Sequence, residues 1–225
     1  MTAHKTTSQR GKRGTGRRLR FSAAAAYRHL READPVVGAL IDEHGPYQPR
    51  PSGDPYAELV RSVMYQQLAG AAAAAILGRL NALHGDSERI PTAKELLSTS
   101  DALFRGAGVS RQKTSYLRDL AEHVMEGRLK FDEIEQLSDE EVIERLTAVK
   151  GVGEWTAHMF LMFQLGRPDV LPVGDLGVRN GMKAAYRLRK PVTPERATKI
   201  GAQWAPYRSV GSWYMWQVVS TKPPG

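Results

Sequence analysis

The sequence predicts an all-α fold, and three observations predict it. Apolar residues recur at helical spacing, as in Leu59, Val60, Val63, Met64 and Leu68. Serine or threonine stands in N-cap position before one apolar run after another, with glycine behind. Alternating apolar–polar runs joined by tight hairpin turns, the mark of a sheet, are missing.

Taken in order, the Ala-rich stretch FSAAAAYRHLREA reads as a helix that stops near Asp34-Pro35, since the residue before proline is biased away from helical geometry. A Pro-rich linker, GPYQPRPSGDP, follows. A helix from Tyr56 and a second, AAAAAILGRLNALHG, closed by Gly85, form a helical hairpin. Short helices come next. Thr92 precedes AKELLS, Ser100 precedes DALFRGAG and Ser110 precedes RQKTSYLRDLAEHVMEG, while Gly106, Gly108 and Gly127 lie at ends. Ser138-Asp-Glu-Glu141 is a capping box before VIERLTAV. That helix runs into Val149-Lys150-Gly151-Val152-Gly153, and the nearly all-apolar EWTAHMFLMFQLG starts at once, which makes a tight helix–hairpin–helix. A further helix is expected over 176–187, and Trp213 and Trp216 share the last one.

Composition narrows the function. The 225 residues allow one large domain or two small lobes. With no cysteine, disulfides, thiolate zinc sites, iron–sulfur clusters and cysteine nucleophiles are excluded together. The six histidines are scattered without metal-ligand spacing. No run approaches eighteen apolar residues and no signal-peptide core opens the chain, so a soluble, cytosolic protein with no membrane partner is expected. The net charge of +8 is uneven: residues 1–20 hold seven Lys/Arg and no acid, whereas 167–225 carry 10 basic and 3 acidic side chains. The first segment has no apolar periodicity and is expected to be a disordered basic tail, either a non-specific phosphate-binding arm or a solubilising terminus.

Two motifs carry chemistry. In the hairpin, Gly151 and Gly153 are expected to adopt positive φ and leave N–H groups bare for a phosphate, with Lys150 adding charge; a plain interhelical turn reads equally from Gly-x-Gly alone. Asp175 is the one acid among five basic side chains between Asp169 and Glu195. It follows Pro172 and Gly174 and is either an ordinary N-cap or a working carboxylate.

The segment LTAVKGVGEWTA, with an aspartate 20 residues after Trp155 behind a Pro/Gly loop, resembles the helix–hairpin–helix Gly/Pro-Asp superfamily of base-excision DNA glycosylases. RSVMYQQLAGAAAAAI, GVSRQKTSYLRDLA, MFLMFQLGRPDVLPVGDLGVRNG and WAPYRSVGSWYMW are similar to the alkylated-base branch of that superfamily, in order and at similar spacing, over roughly residues 56–217. The resemblance implies two helical lobes within 21–225, with a cleft between them and no N-terminal β-rich domain. It implies flipping of a damaged nucleotide from double-stranded DNA and hydrolysis of its N-glycosidic bond, in the cytoplasm of a bacterium or the nucleus of a eukaryote, by a monomer.

The resemblance also assigns residues. Asp175 matches the catalytic aspartate, whose charge stabilises an oxocarbenium-like sugar or orients water. Trp155 and Trp216 match the aromatic walls that stack an electron-poor base, with Tyr65, Met159 and Tyr214 as further pocket residues. Trp155 stands where strand-cleaving relatives have a lysine nucleophile, which implies a monofunctional enzyme. Gln66, Gln67 and Leu68 match the wedge that fills the vacated stack, although a solvent-facing amide pair is the plain alternative. Phosphate contacts fall to Lys150, Gly151, Gly153 and Arg179, with Lys183 and Arg187 nearby. No catalytic cofactor is implied. A sodium or potassium ion is implied on the backbone carbonyls of Thr147, Val149 and Val152. The rival is a non-catalytic helix–hairpin–helix DNA-binding protein, in which Asp175 only caps.

Overall fold

The structure, a computed structural model, describes residues 21–48 and 53–219. The basic segment 1–20 lies outside the described residues, as do residues 49–52 of the Pro-rich linker. Twelve α-helices and no strand occur among the described residues. None of these helices is long and apolar enough to cross a membrane.

Most helix starts follow from local chemistry. Helix α1 (Ala23–Ala33) is capped by Ser22, and α3 (Pro55–Tyr65) by Asp54 with Pro55 in its first turn. The second helix of that hairpin, α4 (Gly70–Ala82), begins without a side-chain cap. Full capping boxes open α5 (Ala93–Ser98) and α8 (Asp139–Thr147), while Ser100 and Ser110 cap α6 (Asp101–Ala107) and α7 (Arg111–Met125). Gly106 lies inside α6, and Gly108 at φ 89° ends it.

Two helices escape the sequence reading, Pro194–Gly201 and one that begins where α1 ends. Asp34-Pro35 does stop α1, but Pro35 also begins α2 (Pro35–His44), because Asp34 Oδ1 caps the Val36 and Val37 N–H groups at 3.0 and 3.4 Å. Proline disfavours a helical residue before it and tolerates the first helical position, so the same pair serves as stop and start.

Packing partners fall into two groups. Helices α1 and α2 pack together, α1 also against the 3-10 turn Ala202–Trp204 and α2 against α12 (Arg208–Val218), which crosses α10 (Leu176–Ala185). The crossing is close: a Cβ on Gly181 would lie 2.1 Å from the Met215 carbonyl oxygen. In the other group, α3 packs on α4 and α7, α4 on α6, and α5 on α7. Helices α8 and α9 (Glu154–Met159) form the predicted helix–hairpin–helix, and α11 (Pro194–Gly201) flanks α10.

Asp34 ties the N-terminal helices to the C-terminal ones. It is 2% exposed, and its Oδ2 accepts from Gln203 Nε2 at 2.7 Å, Trp204 Nε1 at 2.8 Å and the Tyr186 hydroxyl. Burial first, and the Asp34 hydrogen bond second, push the Tyr186 hydroxyl well above its usual range, so it stays a donor. Trp204 rests over Gly211, where a Cβ would come within 2.5 Å of its ring.

Candidate active site and nucleic-acid interface

Asp175 is the N-cap of α10, and its Oδ1 accepts the Val178 N–H at 2.7 Å. The cap is one of three bonds that it accepts. Trp216 Nε1, from α12, donates to the same Oδ1 at 2.9 Å, and Trp155 Nε1, from the first turn of α9, donates to Oδ2 at 2.6 Å. All three partners are N–H donors, which leaves both oxygens as acceptors, the bonding pattern of a carboxylate. Asp175 is 9% exposed, Trp216 2% and Trp155 41%, so the carboxylate is backed by a buried indole and opens outward along an exposed one.

Trp216 approaches this closely because residue 177 is glycine. A Cβ there would lie 2.8 Å from Trp216 Cδ1 and 3.0 Å from Asp175 Oδ1. The sequence reading passed over Gly177, whose signal is a second glycine two residues after the acid. We expect Gly177→Ala to displace the indole and to lower any activity of Asp175 about 100-fold, the effect of roughly 1 Å of misplacement. Single-turnover rates with tryptophan fluorescence check this, and a wild-type rate counts against it. Phe163, also missed, faces Trp216 with ring centroids 6.0 Å apart. It lies on a π-helical turn, Phe160–Gln164, a distortion common at functional sites and without a sequence signature.

The other pocket residues separate. Met159 follows Trp155 by one turn of α9 and is 8% exposed. Tyr65 is 41% exposed at the end of α3. Tyr214 corrects the sequence reading. Its ring is buried against Trp213, and its hydroxyl donates to the Gly45 carbonyl at 2.8 Å, because two residues along a helix turn it away from Trp216.

In the hairpin only Gly151 has positive φ, at 80°; Gly153 is the extended N-cap of α9 at φ −95°. Gly151 is needed for space as well, since a Cβ would sit 2.2 Å from the Tyr116 ring of α7. Helix α9 has no side-chain cap, so the N–H groups at its start have no side-chain partner of their own, as an anion site would require. Among the described residues no backbone N–H reaches the Thr147 or Val152 carbonyl, and the Val149 carbonyl receives one, from Val152 at 3.1 Å. Hard carbonyl oxygens with lone pairs to spare fit a monovalent cation.

Lys150 is less free than its sequence suggests. Its N–H donates to Asp119 Oδ2 at 2.8 Å, and its ammonium lies 3.3 Å from Asp119 Oδ1. Burial raises the Asp119 pKa, but the Lys150 N–H and ammonium and nearby His123 outweigh it and hold the carboxyl below its ordinary value of 3.8. A depressed folded-state pKa stabilises above the unfolded value and is lost as pH falls through the folded one. The stability gap between wild type and Asp119→Asn should therefore stay constant above about pH 5 and shrink below about pH 4. Thermal melts across that range check it.

Arg179 is also corrected: its guanidinium turns inward to the Val192 carbonyl at 3.3 Å, with Nε buried. Arg187, exposed at φ 51°, ends α10 where glycine is usual. Gln66 does not project freely. Its Nε2 donates to the Gly151 carbonyl at 2.8 Å, whereas Gln67, at φ 56°, and Leu68, 39% exposed, form the tip of the turn. A groove of about 340 Å³ lies beyond the hairpin, lined by Arg105, Arg111, Arg118 and Lys150 among others, and it does not include Asp175 or Trp155.

An all-helical scaffold with a short hairpin bearing bare N–H groups, and a carboxylate clasped by two indoles beside it, defines a helix–hairpin–helix protein with a single-aspartate site. The chain belongs to the HhH-GPD superfamily of base excision DNA repair proteins, whose sequence profile matches residues 60–206. It is 38% identical over 193 residues to DNA-3-methyladenine glycosylase 1 of Schizosaccharomyces pombe, covering 84% of each chain. A solved complex of the S. pombe 3-methyladenine DNA glycosylase Mag1 with abasic DNA superposes with a TM-score of 0.75, over 86% of this chain and 95% of that one. A DNA-3-methyladenine glycosidase of Bacillus halodurans, 39% identical, superposes with a TM-score of 0.80 over 87% and 89%.

Proposed function

We propose that this protein is a monofunctional DNA glycosylase that flips alkylated bases, 3-methyladenine and similar lesions, out of duplex DNA and hydrolyses their N-glycosidic bond. The observation that carries the reading is the Asp175 carboxylate, held on both oxygens by Trp155, Trp216 and the Val178 N–H beside an exposed indole face. The names of the similar proteins, and the abasic DNA bound by one of them, support it. Its place of action is wherever the genome lies, nucleoid or nucleus.

In this reading the damaged base stacks on Trp155, where π-stacking and cation–π attraction favour an electron-poor ring. The C1′–N bond breaks, its electron pair leaves with the base, and positive charge develops on the sugar. Asp175 stabilises that charge without having to reorganise, because its three donors already fix its orientation. Water then adds to C1′ and gives up its proton. Trp155 has no amine to form a Schiff base, so the strand stays uncut. The N–H groups of Gly151 and Gly153 take a backbone phosphate, and the carbonyls of Thr147, Val149 and Val152 would hold a sodium or potassium ion, which would supply positive charge for that phosphate.

Base release from alkylated duplex DNA, by wild type and Asp175→Asn, tests the proposal. Release by the wild type alone is expected, together with failure of borohydride to trap enzyme on DNA. Equal release from both would take Asp175 out of the chemistry, and none from either would leave a DNA-binding protein without it.

A further inference from the structure

The turn between α3 and α4 and the hairpin between α8 and α9 are far apart in sequence, and the structure fastens them together. Gln66 Nε2 donates to the Gly151 carbonyl at 2.8 Å across the gap. Helix α7 supplies the rest. Lys113 donates to the Met64 carbonyl at the end of α3, where burial pushes its pKa down. Tyr116, one turn on, packs its ring where a Gly151 side chain would be and is held by Gln112 Nε2 at 2.7 Å. Asp119, a further turn on, accepts the Lys150 N–H at 2.8 Å. Residues 113, 116 and 119 are successive neighbours along one side of α7, so a single rigid helix sets the spacing of both loops.

We propose that Gln66 is a positioning residue and not part of the inserted wedge: with α7 it holds the Gln67–Leu68 tip at a fixed distance from the phosphate-binding hairpin. The proposal rests on the flipping reading above. Insertion must offset the cost of unstacking, and a tip that is already placed when the hairpin seats on its phosphate loses no further freedom at that moment. The division of labour is visible in the turn. Gln66 is partly buried and bonded inward, and Gln67, at φ 56°, is exposed.

Gln66→Leu, one bond shorter, keeps apolar bulk for insertion but cannot donate to Gly151; Gln66→Glu cannot donate either, and Gln67→Leu leaves the strut intact. Hydrogen exchange of the bonded amides of Lys150 and Val152 in the free protein should quicken by about tenfold, the equivalent of freeing one ordered residue, in both Gln66 variants and not in Gln67→Leu. Flipping, followed by 2-aminopurine fluorescence beside an abasic-site analogue, should fall about tenfold in the Gln66 variants, with kcat rather than KM carrying the loss. Unchanged hairpin exchange in both Gln66 variants, or wild-type flipping by Gln66→Leu, would overturn the proposal. Exchange is read without DNA, so failure of wild type to release bases would sink the functional reading and not this coupling.

Discussion

Asp175→Asn is expected to lower base release about 1,000-fold or more, the scale at which removal of one preorganised electrostatic group acts on a transition state. The fold should survive. An asparagine oxygen can keep the Val178 N–H and the Trp216 indole, now at 2.7 and 2.9 Å from Oδ1. Its amide nitrogen then faces the Trp155 N–H across a gap of 2.6 Å, donor against donor. Trp155 is 41% exposed and can turn to water, so the stability cost should stay near about 1 kcal/mol. Single-turnover kinetics and thermal melts on one preparation separate the two effects. A large loss of stability with modest loss of rate would make Asp175 a cap and little else.

Asp34→Ala should do the reverse. It leaves the buried Trp204 Nε1 and the half-buried Tyr186 hydroxyl without their acceptor, lets the exposed Gln203 amide turn to water, and removes the cap of α2. Unsatisfied buried donors cost about 1–3 kcal/mol each, so a loss of at least about 3 kcal/mol is expected. For a domain of this size that is about 6–12 °C in Tm. Base release per folded molecule, at a temperature where the variant is folded, should stay within about threefold of wild type, because no Asp34 contact reaches Asp175. Each of these aspartates receives a tryptophan N–H, and what separates them is surroundings. Asp34 is enclosed by donors from three segments, while Asp175 opens along an exposed indole.

Much of this was legible in the sequence. Helix caps are local, since a serine three residues before the amide it caps needs no distant partner, and Thr92, Ser100, Ser110 and Ser138 all cap as read. The hairpin was legible for the same reason. The errors have a common origin. Gly153 was given positive φ because glycine permits it, but its conformation follows from the start of α9. Tyr214 was placed in the pocket for its nearness to Trp216 in sequence, although helical geometry turns the two apart. Arg179 is expected from sequence as a phosphate contact, and the loop before α11 draws its guanidinium to the Val192 carbonyl.

By itself, then, the sequence determined the helical class, most of the places where helices start, the hairpin and the capping position of Asp175, because these depend on neighbours within a turn or two of chain. Only the tertiary structure decided which tryptophans meet Asp175, that Gly177 makes room for one of them, that Gln66 is fastened to the hairpin while Gln67 is not, and that Asp34 is a buried hub. Each of those outcomes depends on the direction of a side chain relative to a helix distant in sequence, and direction is fixed by packing.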